Sequence, residues 1–292
     1  MEHTITTFRQ LYFACKEANK KIYETALDYE ASRGEYSEYN VRLQAKKSLD
    51  AMKEAIKTGL NSTEPSPSGM SGDDCNKLQK KYKNSASVLG AAAQKIMTYA
   101  LATSEQNLRM GTIVACPTAG SCGIVSAVLI AYAEDNNISE CEQINALITA
   151  GEVGRLVSNK MALAGAVGGC QAECGVAAAM ASAALTQMRG GSVKQIINAV
   201  ALALKNILGL TCDPVCGLVE IPCVKRNPFL AIHAVTASEL AMADIISKIP
   251  IDEVVDAMEQ TGKLMSPLLK ESSQGGLAKT KTAIALEKNI LK

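Results

Sequence analysis

Three short stretches of the sequence place cysteines among glycines, between apolar segments. They cover residues 115–123, 168–175 and 211–227. Glycine lets the backbone approach a ligand closely, and the free amides of such loops can bind an anion or the sulfides of a cluster. The cysteines add thiolates, which are soft metal ligands. We therefore expect the three stretches to line one site.

The cysteine spacing in the second and third stretches differs from common metal motifs. Cys170 and Cys174 are four residues apart, as are Cys212 and Cys216, and Cys223 lies eleven residues beyond Cys212. Zinc ribbons use pairs separated by two residues, and ferredoxins use a denser run. Thiolates without histidine partners suit an iron–sulfur cluster, whereas small buried cysteines are also common in protein cores. Spacing alone leaves both interpretations open.

Histidine is scarce. The chain has two, His3 and His233, and no H-E-x-x-H pattern, which argues against a histidine-rich catalytic metal site. His233 lies in an apolar stretch and is interpreted as structural. The ten cysteines accompany no secretion signal, so we interpret them as thiols rather than disulfides, about half of them in the core.

The first stretch also has the features of an anion site. Thr118, Gly120 and Ser121 precede the apolar run 124–133 and would present hydroxyls and amides at the start of a helix. The dipole of that helix would favour a carboxylate there. An ordinary helix cap is the alternative.

The composition indicates a compact helical protein that acts on a small molecule. Of 292 residues, 48% are hydrophobic, 20% are charged and 4% are aromatic. Abundant small residues favour closely packed helices, so we expect an all-α, multi-helix domain whose buried helices are rich in small residues. The formal net charge of +1 gives no field for nucleic acid or an anionic membrane. The absence of a leader or membrane-spanning run predicts a cytoplasmic protein.

Apolar periodicity predicts the elements that position the three stretches. We expect an amphipathic helix over residues 4–32, a second over 39–58 that Gly59 stops, and a loop over 61–73. The loop separates N-terminal helices, within residues 1–70, from the main domain, 71–292. The N-terminal region is either part of the same domain or a small subdomain. Residues 111–115 are the best strand candidate but are too short for a sheet. Further helices are expected at about 85–108, 122–133, 140–165, 171–188, 192–208, 228–248 and 251–265.

The strings at residues 116–123, 169–175 and 212–227 closely resemble the α-chain, or catalytic domain, of iron–sulfur-dependent L-serine dehydratases. The resemblance extends from about Ser71 to Gly276 and includes the short strings 71–73 and 274–277.

The resemblance implies that Cys170, Cys212 and Cys223 hold three irons of a [4Fe–4S] cluster in a site formed by interhelix loops. The fourth iron would stay open and act as a Lewis acid on the hydroxyl of L-serine. Cys174 and Cys216 would then serve packing. No pyridoxal phosphate is expected, because the family does not use it.

The remaining site residues are assigned by their place in or near the matching strings. Lys160 is a weak candidate for the base, on the condition that burial lowers its pKa. Arg226 is a further candidate for the substrate carboxylate. The residues expected on the substrate side are Ser71, Asp73, Thr118, Gly120, Ser121 and Asn227.

The sequence departs from single-chain relatives in one respect. Those relatives carry an N-terminal domain with a histidine-bearing, serine-rich motif, and nothing similar occurs here; His3 is no substitute. We therefore expect a separate β subunit that supplies the base.

Two rival functions remain. A cysteine desulfidase on the same fold would bind a thiol instead of a hydroxyl, although the string 117–120 favours the serine branch. A non-catalytic iron–sulfur sensor or scaffold would need a fully ligated cluster.

Overall fold

The computed structural model describes residues 5–34 and 36–290, and within these ranges it is an all-α protein. No strand forms in the described residues. Residues 111–115 have no regular secondary structure, and isolated bridges join Pro65 to Gly72 and Cys212 to Lys270. The predicted all-α class is confirmed.

Thirteen α-helices follow one another along the described chain, joined by turns and by longer loops. They are α1 (Phe8–Ala18), α2 (Ile22–Ser32), α3 (Glu38–Asn61), α4 (Asp74–Lys83), α5 (Gly90–Leu108), α6 (Cys122–Asp135), α7 (Glu140–Ser158), α8 (Gly165–Gly168), α9 (Val176–Met188), α10 (Val193–Lys205), α11 (Cys223–Met242), α12 (Ile251–Leu264) and α13 (Lys281–Ile290).

Helix α9 forms the centre of the core. Residues 176–187 are all buried, and α6, α7, α10 and α11 pack around them. A helix that is apolar on every side must be covered on every side, and its alanines let the neighbouring helices approach closely. The predicted small-residue core is therefore present, and α9 runs into it directly from the second cysteine stretch.

The N-terminal part differs from the sequence expectation at two points. The helix expected over 4–32 is two helices, because Asn19 adopts a left-handed conformation with φ of 51° and ends α1. Gly59 does not stop α3, which continues to Asn61. A β-carbon at Gly59 would lie 2.1 Å from the Ala102 carbonyl oxygen, so glycine is required there for the close crossing of α3 and α5.

Buried side chains of α1–α3, among them Phe8, Leu11, Leu49 and Met52, belong to the same hydrophobic cluster as α9. The N-terminal helices therefore share one hydrophobic core with α9, the helix that follows the second cysteine stretch. None of the described helices has the combined length and apolar character needed to cross a membrane.

Candidate functional site

The three cysteine-bearing stretches come together between the helices. The first forms the turn Ala119–Ser121 before α6, and the second forms α8 and a π-helical turn, Gln171–Gly175, before α9. A β-carbon at Gly120 would lie 3.0 Å from the Val219 side chain in the third stretch and 4.0 Å from a carboxylate oxygen of Glu173 in the second. One small region therefore contains all three loops.

Three buried thiols face this region. Cys170, Cys212 and Cys223 are 2%, 3% and 8% exposed. Burial raises the pKa of Cys212 and of Cys223, and negative charge on Cys170 raises both further. The three sulfurs are thus close enough for the charge of one to act on the others. In the described residues, no three Cys, His, Asp or Glu side chains converge tightly enough to share a single metal ion.

Cys170 has surroundings that favour its thiolate. Hydrogen bonding from the Cys174 thiol and the positive charge of Arg226 hold its pKa below the ordinary value, against the effect of burial. Cys174 is itself buried beside Cys170. A local cation and a hydrogen-bond donor together stabilise a thiolate that burial alone would destabilise.

Arg226 is fixed in place by the protein. Its guanidinium donates to the Thr211 carbonyl oxygen at 2.9 Å and to the Asp213 carboxylate at 3.1 Å. The second oxygen of Asp213 accepts from the Leu277 amide at 2.8 Å. The C-terminal string 274–277 is thereby tied to the cysteine loops, and Arg226 supports Cys170 instead of presenting a free guanidinium.

Glu173 lies where the three loops meet, and the sequence prediction missed it. One carboxylate oxygen is 3.8 Å from the Cys212 sulfur. A β-carbon at Gly165 would lie 2.4 Å from the same oxygen and 2.9 Å from that sulfur. Any side chain at this position would therefore clash with both atoms. Burial raises the pKa of the Glu173 carboxyl, while hydrogen bonding with Thr118 and Cys212 opposes the rise.

A signal for Glu173 was present in the sequence. Between Lys160 and Arg189 it is the sole charged residue, in a run that is otherwise small and apolar. A charge inside a buried segment must have a partner or a function.

Asn227 and Ser121, both expected on the substrate side, form hydrogen bonds with backbone groups of the loops. The Asn227 amide accepts from the Gly123 amide at 2.9 Å and donates to the carbonyl oxygens of Gly120 and Cys223 at 2.9 and 3.0 Å. The Ser121 hydroxyl bonds within its own turn, 3.2 Å from the Thr118 carbonyl oxygen. Both side chains shape the glycine turn, whereas Thr118 and Gly120 border Glu173.

Ser71 and Asp73 lie in the loop between α3 and α4. This loop reaches the third stretch through Glu220, which accepts from the hydroxyls of Ser66 at 2.8 Å and Ser68 at 2.7 Å. The Ser71 hydroxyl is buried and has no hydrogen-bond partner among the described residues. Asp73 directly precedes α4, and its carboxylate accepts from the Asn76 side-chain amide at 2.8 Å.

Lys160 does not meet the condition for a base. Its side chain is 40% exposed and pairs with Asp256 at 2.9 Å, and this hydrogen bond raises its pKa instead of lowering it. His233 forms a hydrogen bond with the Ala203 carbonyl oxygen at 2.8 Å, as a structural histidine would. His3 lies outside the described residues.

Comparison with known proteins gives a consistent result. The family model described as serine dehydratase alpha chain matches residues 17–278. The probable L-serine dehydratase alpha chain of Bacillus subtilis is 43% identical over 282 residues, which cover 97% of this chain and 94% of the relative. The L-serine dehydratase alpha chain of Peptoniphilus asaccharolyticus is 39% identical over 289 residues, or 99% of each chain.

A longer relative matches over part of its length. L-serine dehydratase TdcG of Escherichia coli is 43% identical over 185 residues, which cover 63% of this chain and 41% of that protein. The matched region is thus one part of the Escherichia coli protein.

Proposed function

Because the chain belongs to the serine dehydratase alpha chain family, we propose that it is the α subunit of an L-serine ammonia-lyase, which converts L-serine to pyruvate and ammonia. The observation that carries this proposal is the meeting of three glycine-rich loops around three buried thiols and one carboxylate. We assign the enzyme to the cytoplasm, because its ten cysteines are all free thiols, which that compartment keeps reduced.

The reaction sets clear demands on the site. Hydroxide is a poor leaving group and the α-proton of serine is weakly acidic, so elimination requires an electrophile at the hydroxyl and a positioned base. The amino acid must also be held at its carboxylate and its ammonium group.

The donor set fits a [4Fe–4S] cluster held by Cys170, Cys212 and Cys223. The thiols are soft and buried, and they repel one another when they are ionised. A cationic group would relieve that repulsion. They do not converge on one ion, and cluster thiolates bind separate irons. The cluster, when bound, would supply a Lewis acid at the substrate hydroxyl. Arg226 would support it through its charge beside Cys170.

The chain's own residues are arranged to hold an α-amino acid. In the turn before α6, the amides of Ser121, Cys122 and Gly123 already have acceptors in the protein. The amides of Ala119 and Gly120 would bind the serine carboxylate. Asn227 keeps that turn in shape through both its amide atoms. Glu173 borders Gly120 on one side and Cys212 on the other, so its carboxylate is placed to accept the serine ammonium group.

Replacing Glu173 with glutamine is expected to raise KM for L-serine by about tenfold to a hundredfold, since a hydrogen bond to a charged group contributes about 1.5–3 kcal/mol. Steady-state kinetics of the cluster-loaded α–β enzyme would measure this, with iron content determined in parallel. Glu54→Gln, at an exposed position on α3, is the matched control and should leave KM unchanged. An unchanged KM with normal iron content would contradict ammonium binding by Glu173.

The function itself is tested by supplying substrates to the anaerobically reconstituted α chain together with its β chain. Pyruvate should form from L-serine with a higher kcat/KM than from L-cysteine. Faster release of sulfide from L-cysteine would instead indicate a desulfidase. No turnover of either amino acid, with the cluster retained, would indicate a non-catalytic iron–sulfur protein.

A further inference from the structure

A second cavity, separate from the cysteine loops, lies where the end of α1, the start of α2, the end of α9 and the start of α10 meet. Its volume is about 590 Å³, which is within the range of small-molecule sites. None of its lining residues belongs to the three loops. Its polar lining residues include Lys16, Lys20, Lys21, Gln187, Ser192 and Lys194.

The cavity is strongly cationic. Four of its lining residues are lysines, and among its described lining residues none is Asp or Glu. Lys20 is paired with Asp28. In the described ranges, no carboxylate lies within ion-pairing distance of the amines of Lys16, Lys21 or Lys194. Three exposed lysines of the lining, Lys16, Lys21 and Lys194, therefore contribute positive charge without an ion-pair partner, and an anion is the ligand that would balance it.

Gln187 provides an independent indication of a ligand. Its side chain is 8% exposed and lines the cavity. The amide oxygen accepts from the Thr149 hydroxyl, but the amide nitrogen has no hydrogen-bond partner among the described residues. A buried donor without an acceptor is costly, and an acceptor bound against the wall of the cavity that Gln187 helps to form would satisfy it.

The start of α10 adds further donors. Ser192 caps this 13-residue helix by accepting from the Gln195 amide at 3.2 Å. The amides of Val193 and Lys194 belong to the first turn and have no acceptor inside the helix. Both residues line the cavity, so the positive end of the helix dipole faces the same space as the lysines.

We propose that this cavity binds a phosphate group, either as free phosphate or as part of a phosphomonoester. The donors are numerous and come from several directions: three amines, the Gln187 amide nitrogen and the first-turn amides of α10. A doubly charged anion with several terminal oxygens satisfies such a set better than a carboxylate does. The cavity is larger than free phosphate requires, and Tyr12 and Ile196 offer apolar contact to a carbon skeleton.

The proposal can be tested by calorimetric titration of the full-length chain in phosphate-free buffer of fixed ionic strength. The probes are inorganic phosphate, glycerol 3-phosphate and, as a monoanion, acetate. We expect either phosphate probe to bind at least tenfold more tightly than acetate. Tighter binding of glycerol 3-phosphate would identify a phosphomonoester, and equal binding would identify free phosphate as the occupant.

Variants locate the site. Lys194→Gln and Gln187→Glu should each weaken phosphate binding by at least tenfold, and Lys194 is exposed, so its replacement should not disturb folding. Lys57→Gln, on the exposed face of α3, is the charge-matched control. Phosphate binding no tighter than acetate, or unaffected by Lys194→Gln, would overturn the proposal and leave a water molecule as the partner of Gln187. The readout is binding, so it does not depend on the enzymatic activity.

Discussion

Replacing any one of Cys170, Cys212 and Cys223 with serine is expected to abolish both cluster binding and L-serine turnover. The anaerobically reconstituted wild-type chain should contain about four irons and four sulfides. Each variant should lose that content and its visible absorbance, because a serine hydroxyl is a poor substitute for a soft thiolate. Iron and sulfide assays together with the absorbance spectrum would measure the loss.

The structure offers a matched control for this experiment. Cys174 is as buried as Cys170 and lies in hydrogen-bonding contact with it, yet we assign it to packing. Cys174→Ser should therefore retain iron, as should Cys141→Ser at an exposed position. Full iron content in all three ligand variants would contradict the proposed ligand set, and loss of iron in Cys174→Ser would add Cys174 to it.

The elements with strong apolar patterns were predictable from the sequence. Helix α9 could be predicted because it is apolar on nearly every side, α7 because its buried segment is long, and α12 because its buried residues recur at helical spacing. The break at Asn19 could not, since a single left-handed residue does not interrupt an apolar pattern. Gly59 was wrongly predicted to end α3, because glycine is common both at helix ends and at close helix crossings. The short distance from a β-carbon at Gly59 to the Ala102 carbonyl oxygen shows that this glycine serves a crossing.

The meeting of the three loops was predictable from the sequence, but the contacts that their side chains make were not. The cysteine–glycine strings identified the three loops that meet. Asn227 was expected to face the substrate, but its partners are backbone groups of Gly120, Gly123 and Cys223, up to 107 residues away in sequence. Glu173 was missed because its role depends on contacts with Thr118 and Cys212 from the other two loops.

The isolated chain is expected to have little or no L-serine dehydratase activity and to gain it when a β chain is added. The described part of the chain offers no free histidine or buried lysine as a base. His233 is engaged with the Ala203 carbonyl oxygen, and Lys160 is held in an exposed ion pair that raises its pKa. A positioned general base contributes about a hundredfold to ten-thousandfold to the rate, and the difference on adding the β chain should be of that size.

The measurement is anaerobic pyruvate formation from L-serine by the reconstituted chain, first alone and then with increasing amounts of the β chain. Iron content should be equal in both samples, so that a change in rate reports the missing group and not a damaged cluster. Activity should saturate when the two chains reach a fixed ratio, because each site requires one partner surface. Full turnover by the isolated chain would contradict the two-subunit proposal. Since Lys160 is exposed and paired, such a result would direct attention to Glu173, the carboxyl group that touches all three loops.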